Sequence, residues 1–239
     1  MAQENARLYA AAQREIEERR RAEEHQKLLI NELNHRVKNT LATVQSIAAQ
    51  TRRTAHDPRA SYEAFIERLM ALSRVHDVLT QERWERAALR AIVDGAIQPF
   101  DDGAGRRFRI AGPPVWIEPH VALALAMALH ELATNAAKYG ALSTAEGAVA
   151  LEWRLTDAGR VLELNWREAG GPPVTPPARR GFGSRLLERG LASELNGKVV
   201  VEYRPEGLAC AMRARLRGGA AEAAVAAAAR PAPAAVPAE

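Results

Sequence analysis

Between Asn5 and Thr54 the chain carries neither proline nor glycine, and apolar residues recur there at helical spacing. A run of this length without a breaker reads as one long helix. Its first part is charge-rich, with Ile16 a sparse apolar position, and such uncapped length predicts a coiled-coil lead-in. Pro58 then sits in the turn segment HDPRAS, with Ser61 as the N-cap of a second helix reaching Val78 or Leu79. Two antiparallel helices joined by a short turn make a hairpin. A hairpin alone buries too little, so it is expected to pair with a second copy as a four-helix bundle or to pack on another domain.

After Gln81 the pattern changes. A helix from about Arg86 to Gln98 precedes the loop DDGAG and one strand-like stretch, RFRIAGPPVWI. A helix then runs from Glu118 to Tyr139, where Gly140 supplies the stop. VALEWRL, VLELNWRE and KVVVEYR read as strands, and LACAMRARL comes after the last of them, beyond a turn at Pro205 to Gly207. A glycine- and proline-rich loop and a helix from Ser184 to Leu195 lie between the second and third of these strands. The fold class expected is therefore α+β: a helical hairpin followed by an α/β sandwich, with helices on one face of a mostly antiparallel sheet. The hydrophobic fraction of 47% supplies a core, and the mere 5% of aromatics favours helix packing. Residues 218–239, almost entirely alanine, proline, glycine and glutamate, read as a disordered tail.

Several function classes are excluded. The longest apolar run, Val121 to Leu129, is less than half of the roughly 20 residues needed to cross a bilayer, so no direct membrane insertion is expected. The N-terminus lacks the apolar core of a signal peptide, which points to a cytoplasmic location. Cys210 is the only cysteine and cannot form an intramolecular disulfide. The 33 basic and 29 acidic residues are interspersed, and the one dense basic run, Arg19 to Arg21, sits among glutamates. No nucleic-acid partner is expected from such a pattern.

Three blocks carry candidate chemistry. In NELNHRVKNTLATV, the residues Ile30, Leu33, Val37, Leu41, Val44 and Ala48 form one apolar stripe, and His35 lies roughly 150° from its centre at about 100° per residue. The imidazole faces outward, with Glu32 at i−3 and Asn39 at i+4 as polar neighbours. An uncharged imidazole nitrogen is a nucleophile near neutral pH. In HELATNAAKYGALS, residues 130–143, the carboxylate of Glu131, the amide of Asn135 and the ammonium of Lys138 share a stripe about 110° from the buried one. Oxygen ligands of this kind suit a Mg²⁺ ion that retains waters and touches nucleotide phosphates, and a lysine holds phosphate as a point charge. In LNWREAGGPPVTPPARRGFGSRLL a strand ends at Glu168, a diglycine permits close backbone approach, and GFGS opens a helix whose N-terminal amides favour an anion.

Taken in order, LNHRVKN, HELATNAAKYGALS, the WRE of Trp166 to Glu168 and GFGS resemble the signature blocks of bacterial sensor histidine kinases of the HWE subgroup, over about residues 25–217. No GxxxxGK[ST] phosphate loop occurs, and the resemblance implies the Bergerat type of ATP site. It implies His35 as the phosphoacceptor and Asn135 as the principal Mg²⁺-ATP contact. His130, Glu131, Lys138 and Tyr139 complete the same block, with Glu131 as a second candidate Mg²⁺ contact. It implies Trp166 and Glu168 at the base, where the Glu168 carboxylate accepts from the adenine amino group. Gly170 and Gly171 let the backbone approach the base, and Gly181, Phe182, Gly183 and Ser184 end a short, proline-stiffened lid. The chain departs from most histidine kinases in having Arg36, not an acid, directly after the acceptor, which leaves Glu32 as the candidate base. The domains implied are a signalling helix over 1–27, a dimerisation and phosphotransfer hairpin over 28–84, an ATP-binding domain over 85–217 and a tail over 218–239. The partners implied are a response-regulator receiver domain, an upstream sensor domain or separate sensor protein, and a second copy of the chain in a homodimer.

Overall fold

The computed structural model describes residues 2–54, 58–82, 84–101, 103, 105–176, 192 and 195–216. Within the described helices, the side chains of residues 2, 4, 6–12, 32, 35, 36, 50, 52–54 and 60 are outside that description. The chain divides into two compact units, Met1–Arg53 and Thr54–Glu239.

The first unit is the helix α1 (Ala2–Thr54), which continues without interruption through the breaker-free segment. Its charged part is laced by i,i+4 pairs, Glu15 with Arg19, Glu17 with Arg21 and Arg20 with Glu24, the spacing at which helical neighbours meet. Its apolar residues Leu28, Leu29, Ile30, Leu33, Val37 and Leu41 are exposed.

The second unit begins with α2 (Pro58–Gln81). Ser61, expected to cap this helix, lies inside it. Pro58 starts the helix instead, because a first-turn residue needs no donor and the proline φ is already helical. The helix α3 is also shorter than expected (Leu89–Ile97), since residues before it form the strand β1 (Ala87–Ala88). The stretch expected as one strand is two, β2 (Phe108–Ala111) and β3 (Trp116–Ile117), because Pro113 and Pro114 between them cannot donate to a ladder. The long helix α4 (Pro119–Lys138) and the strands β4 (Ala148–Thr156), β5 (Val161–Ala169), β6 (Lys198–Arg204) and β7 (Gly207–Arg215) complete the unit. The helix expected over Ser184–Leu195 and the tail over 218–239 fall outside the described residues, apart from Ala192 and Leu195.

The main sheet has the order β2-β4-β5-β7-β6. Its pairings are antiparallel except β2 with β4, which run parallel. Alternation along the strands sorts the two faces. Leu151, Trp153, Leu162, Leu164, Trp166, Cys210 and Met212 point inward and are buried, while Glu152, Arg154, Arg167 and Arg213 point outward. The inner face forms one apolar cluster with α3, α4 and the end of α2, where Val75 and Leu79 join it. On α4 the stripe Val121, Leu125, Leu129, Leu132 and Ala136 is fully buried, as its period requires. Burying that stripe fixes the rotation of α4, and thereby the direction of every polar side chain it carries.

Candidate functional site

The last two turns of α4 and the loop that succeeds them meet the end of β5. Asn135 is half-buried, and its backbone carbonyl accepts from the amides of Tyr139 and Gly140 where the helix terminates. The chain then turns through a short 3₁₀ segment, Ala141–Ser143, which delivers the Ala141 amide to the carboxylate of Glu168. Ala141 N–H donates to Glu168 Oε2 at 3.0 Å, and Trp166 Nε1–H donates to Oε1 at 3.1 Å. Trp166 and Glu168 are two apart on β5 and so share its inner face. One donor thus comes from the same strand and the other from the 3₁₀ segment that succeeds α4.

This seat admits no side chains beyond those present. A Cβ on Gly140 would lie 2.1 Å from Glu168 Oε2, one on Gly147 would lie 1.7 Å from the Ala141 carbonyl oxygen, and one on Gly171 would lie 2.5 Å from Ala141 Cα. Gly170 has φ +76°, a conformation side-chain-bearing residues rarely adopt. The Thr144 hydroxyl donates to the Gly170 carbonyl oxygen at 2.8 Å and joins the loop after α4 to the loop after β5. Both glycines lie close to other backbone segments, Gly171 to Ala141 and Gly170 to Glu146 and Gly147.

Glu168 is buried, and burial raises its carboxyl above the usual range, against the lowering effect of the Ala141 and Trp166 hydrogen bonds. Each of its oxygens accepts one of these bonds, and a carboxylate has about four acceptor sites, so acceptor capacity remains for an amino group.

Glu131, Asn135 and Lys138 do share a stripe of α4, and two of the three have partners on α2. Arg68 donates from Nε and Nη2 to the two oxygens of Glu131, a fork that lies almost wholly out of water. Lys138 Nζ donates to Glu67 Oε2 at 3.4 Å in a much more exposed pair. Sequence reasoning found the α4 members of these pairs and missed Glu67, Arg68 and the Ala141 amide. No local signal marks them: Glu67 and Arg68 are ordinary helix residues by pattern, and a backbone amide has no side-chain signature.

His130 lies one residue from the stripe and faces the interior. Only 3% of it is exposed, both ring nitrogens lack partners among the described residues, and its ring packs against Phe100 with centroids 5.5 Å apart. Burial first, and the nearby Arg74 guanidinium second, push its pKa down to about 4, so it is neutral near pH 7. Tyr139 is mostly exposed at the helix end. His35 and Glu32 fall within α1, but their side chains are outside the described residues, as are Gly181, Phe182, Gly183 and Ser184.

The residues present fit an adenine nucleotide. The glycine-walled acceptor at Glu168 suits an exocyclic amine, and the Asn135 amide has no hydrogen-bond partner among the described residues. Among those residues no group of three or more His, Cys, Asp or Glu is placed to hold a metal, so protein carboxylates do not form a cage there. A hard cation shared between an amide oxygen and phosphates needs no such cage. No helix among the described residues is long and apolar enough to cross a membrane.

Comparison with known proteins places these features. Residues 32–114 match the family model described as HWE histidine kinase. The chain is 43% identical over 196 residues to the blue-light-activated histidine kinases of Brucella anthropi and of Brucella ovis, covering 81% of this chain and 40% of each relative. It thus spans less than half the length of those relatives. Among solved structures, the blue-light activated histidine kinase of Erythrobacter litoralis matches with TM-score 0.59 at 17% identity, over 76% of this chain and 59% of that one. The histidine kinase domain of the same protein matches with TM-score 0.52 at 15% identity, over 75% of this chain and 94% of that domain. The fold is shared at these low identities, and the sequence relationship to histidine kinases stands on the HWE match over residues 32–114 and on the Brucella proteins.

Proposed function

We propose that this chain is the catalytic core of a two-component sensor histidine kinase, which uses Mg²⁺-ATP to phosphorylate His35 and passes the phosphoryl group to an aspartate of a response-regulator receiver domain. The observation that carries the reading is the seat around Glu168. A buried carboxylate with spare acceptor capacity, walled by glycines and set beside the Asn135 helix, is what selection of an adenine amino group requires.

Within this reading Glu168, held by Trp166, orients the base, and Gly170 and Gly171 let the backbone approach it. Asn135 offers an amide oxygen towards the metal-bound phosphates, and Lys138 offers a positive charge. Bound Mg²⁺ supplies charge neutralisation on the phosphate oxygens and holds them in one geometry. Glu131, His130 and Tyr139 belong to the same block: Glu131, whose two oxygens Arg68 occupies, fixes the helix and is not free to serve as a second oxygen ligand, while His130 stays neutral in the core. Gly181, Phe182, Gly183 and Ser184 enter this reading through the family resemblance alone, since they lie outside the described residues.

In the transfer itself a nitrogen of His35 bonds to the γ-phosphorus, the bond from that phosphorus to the bridging oxygen breaks, and ADP leaves with the electron pair. The imidazole proton passes to a base, for which Glu32, one helical turn away, is the candidate. Phosphoryl transfer of this kind rests on positioning and charge, so the protein need supply little covalent chemistry. The exposed stripe Leu28, Leu29, Ile30, Leu33, Val37 and Leu41 serves a homodimer, and the charged first part of α1 carries input from a sensor domain or separate sensor protein. The reaction belongs in the cytoplasm, where ATP and receiver domains are present.

Calorimetric titration tests the nucleotide half. Mg²⁺-ATP is expected to bind the wild type with measurable heat, Asn135→Ala to lose at least tenfold in affinity, and GTP to bind weakly to both. Equal affinity for ATP and GTP would remove the role given to Glu168.

A further inference from the structure

Glu67 and Arg68 are consecutive on α2, and they engage the two charged residues of α4 that bracket Asn135 by one turn on either side. The two pairs differ in kind. The Arg68–Glu131 fork is nearly dry, with side-chain exposures of 11% and 6%, so removing either partner strands a buried charge. The Glu67–Lys138 pair is about half exposed on both sides and 3.4 Å long, the sort of contact that water and salt weaken and that a better partner displaces. A permanent anchor therefore lies next to a weak contact, and the weak contact holds the one ammonium that the nucleotide reading assigns to phosphate. The same charges surround His130: beside burial, which chiefly lowers its pKa, Arg74, Arg68 and Lys138 lower it and Glu67 raises it, so these side chains share one neighbourhood.

We propose that Glu67 is a positioning residue for the nucleotide site: set in place by the Arg68–Glu131 anchor, its carboxylate holds the Lys138 ammonium and gives it up to the phosphates of an incoming nucleotide. The inference rests on the reading of α4 as the ATP helix. Its physical content is a competition. A carboxylate and a triphosphate cannot both take the short contacts of one –NH₃⁺ at full strength, and the triphosphate with its metal carries more charge, so Glu67 lowers apparent nucleotide affinity without touching the nucleotide. It also holds Lys138 against α2 before binding, where a solvated lysine would sample many rotamers.

The test is a double-mutant cycle on the full chain, read as the Kd of Mg²⁺-ATP by calorimetry, with Glu67→Gln, Lys138→Gln and the double variant. Glu67→Gln is expected to tighten ATP binding by up to about fivefold, the range of an exposed ion pair. In the Lys138→Gln background the same substitution is expected to change the Kd by less than about 1.5-fold, because the contact through which it acts is gone. Equal tightening in both backgrounds would show that Glu67 acts only as a distant negative charge and would overturn the proposal, as would no change in either. Failure of the wild type and all variants to bind ATP would instead strike the nucleotide reading itself, so the two failures are distinguishable. A matched series with adenosine separates competition for phosphate from a general change at the site: the Kd for adenosine should not respond to Glu67→Gln, and a response equal to that for ATP would count against the phosphate competition.

Discussion

Helices α1 and α4 both carry an apolar stripe at helical spacing, yet their stripes have opposite fates. Leu33 on α1 is 61% exposed, whereas Leu129 on α4 is fully buried. The period that builds both stripes is the same, so period alone does not say whether a face is covered. The difference lies in the elements that succeed each helix along the chain. After α4 come strands whose alternation presents an apolar face of matching width, and helix and strands close on each other within one unit. The exposed part of α1 has no such apolar face of its own unit against it. Covered, α4 holds the directions of Asn135 and Lys138 fixed.

The sharpest way to break this contrast is to remove what holds the polar side of α4. Arg68→Ala leaves the Glu131 carboxylate buried without its guanidinium, and a loss of about 3–5 kcal/mol in unfolding free energy is expected by urea denaturation. A loss under about 1 kcal/mol would mean that the fork contributes little. Next in size, Leu129→Ala is expected to cost about 2–5 kcal/mol at every protein concentration, because the cavity forms inside one unit. Leu33→Ala should behave differently: little change when the chain is dilute, and a cost that emerges only at concentrations where copies associate. An equally large, concentration-independent loss for Leu33→Ala would erase the distinction between the helices.

Acid sharpens the comparison further. His130 is held neutral in the fold down to about 4, while in the unfolded chain it protonates near its ordinary value of 6.5. The unfolded state therefore binds more protons between these values, and the stability that His130 contributes is fully present above about 6.5 and is lost as pH falls towards 4. The loss is on the order of 3 kcal/mol. Glu168 works in the opposite sense, because its raised carboxyl keeps a proton at higher pH than the unfolded chain does, so its effect fades as pH rises through that value. Between about pH 7 and pH 5 the urea midpoint should fall in the wild type and fall less in His130→Leu. A smaller effect again is expected on the outer sheet face, where Arg154→Ala should change stability by no more than about 0.5 kcal/mol.

Much of this fold is legible in the residues alone, and the reasons are local. The α4 stripe reflects an uninterrupted 3.6-residue period, and β4 and β5 reflect alternation over nine residues each. The blocks around Asn135 and Glu168 stand out because unusual residue types recur in a fixed order. The features that escape such a reading are non-local. The partner of Glu131 is 63 residues away on another helix, and nothing in the spacing of α2 distinguishes Arg68 from a solvated arginine. The parallel pairing of β2 with β4 depends on the crossover of α4, which periodicity does not encode. Gly140 is readable as a helix stop, but its second task, clearing space for the Glu168 carboxylate, is visible only when the two loops are placed together.

The proposed kinase activity depends on delivery of a phosphoryl group from the nucleotide held at α4 to His35 on α1. Incubation of the full chain with γ-labelled ATP and Mg²⁺ measures that delivery directly. Acid-labile, base-stable label on the wild type, none on His35→Ala and little on Asn135→Ala is the expected result. Equal label on wild type and His35→Ala, or label that survives acid, would contradict it.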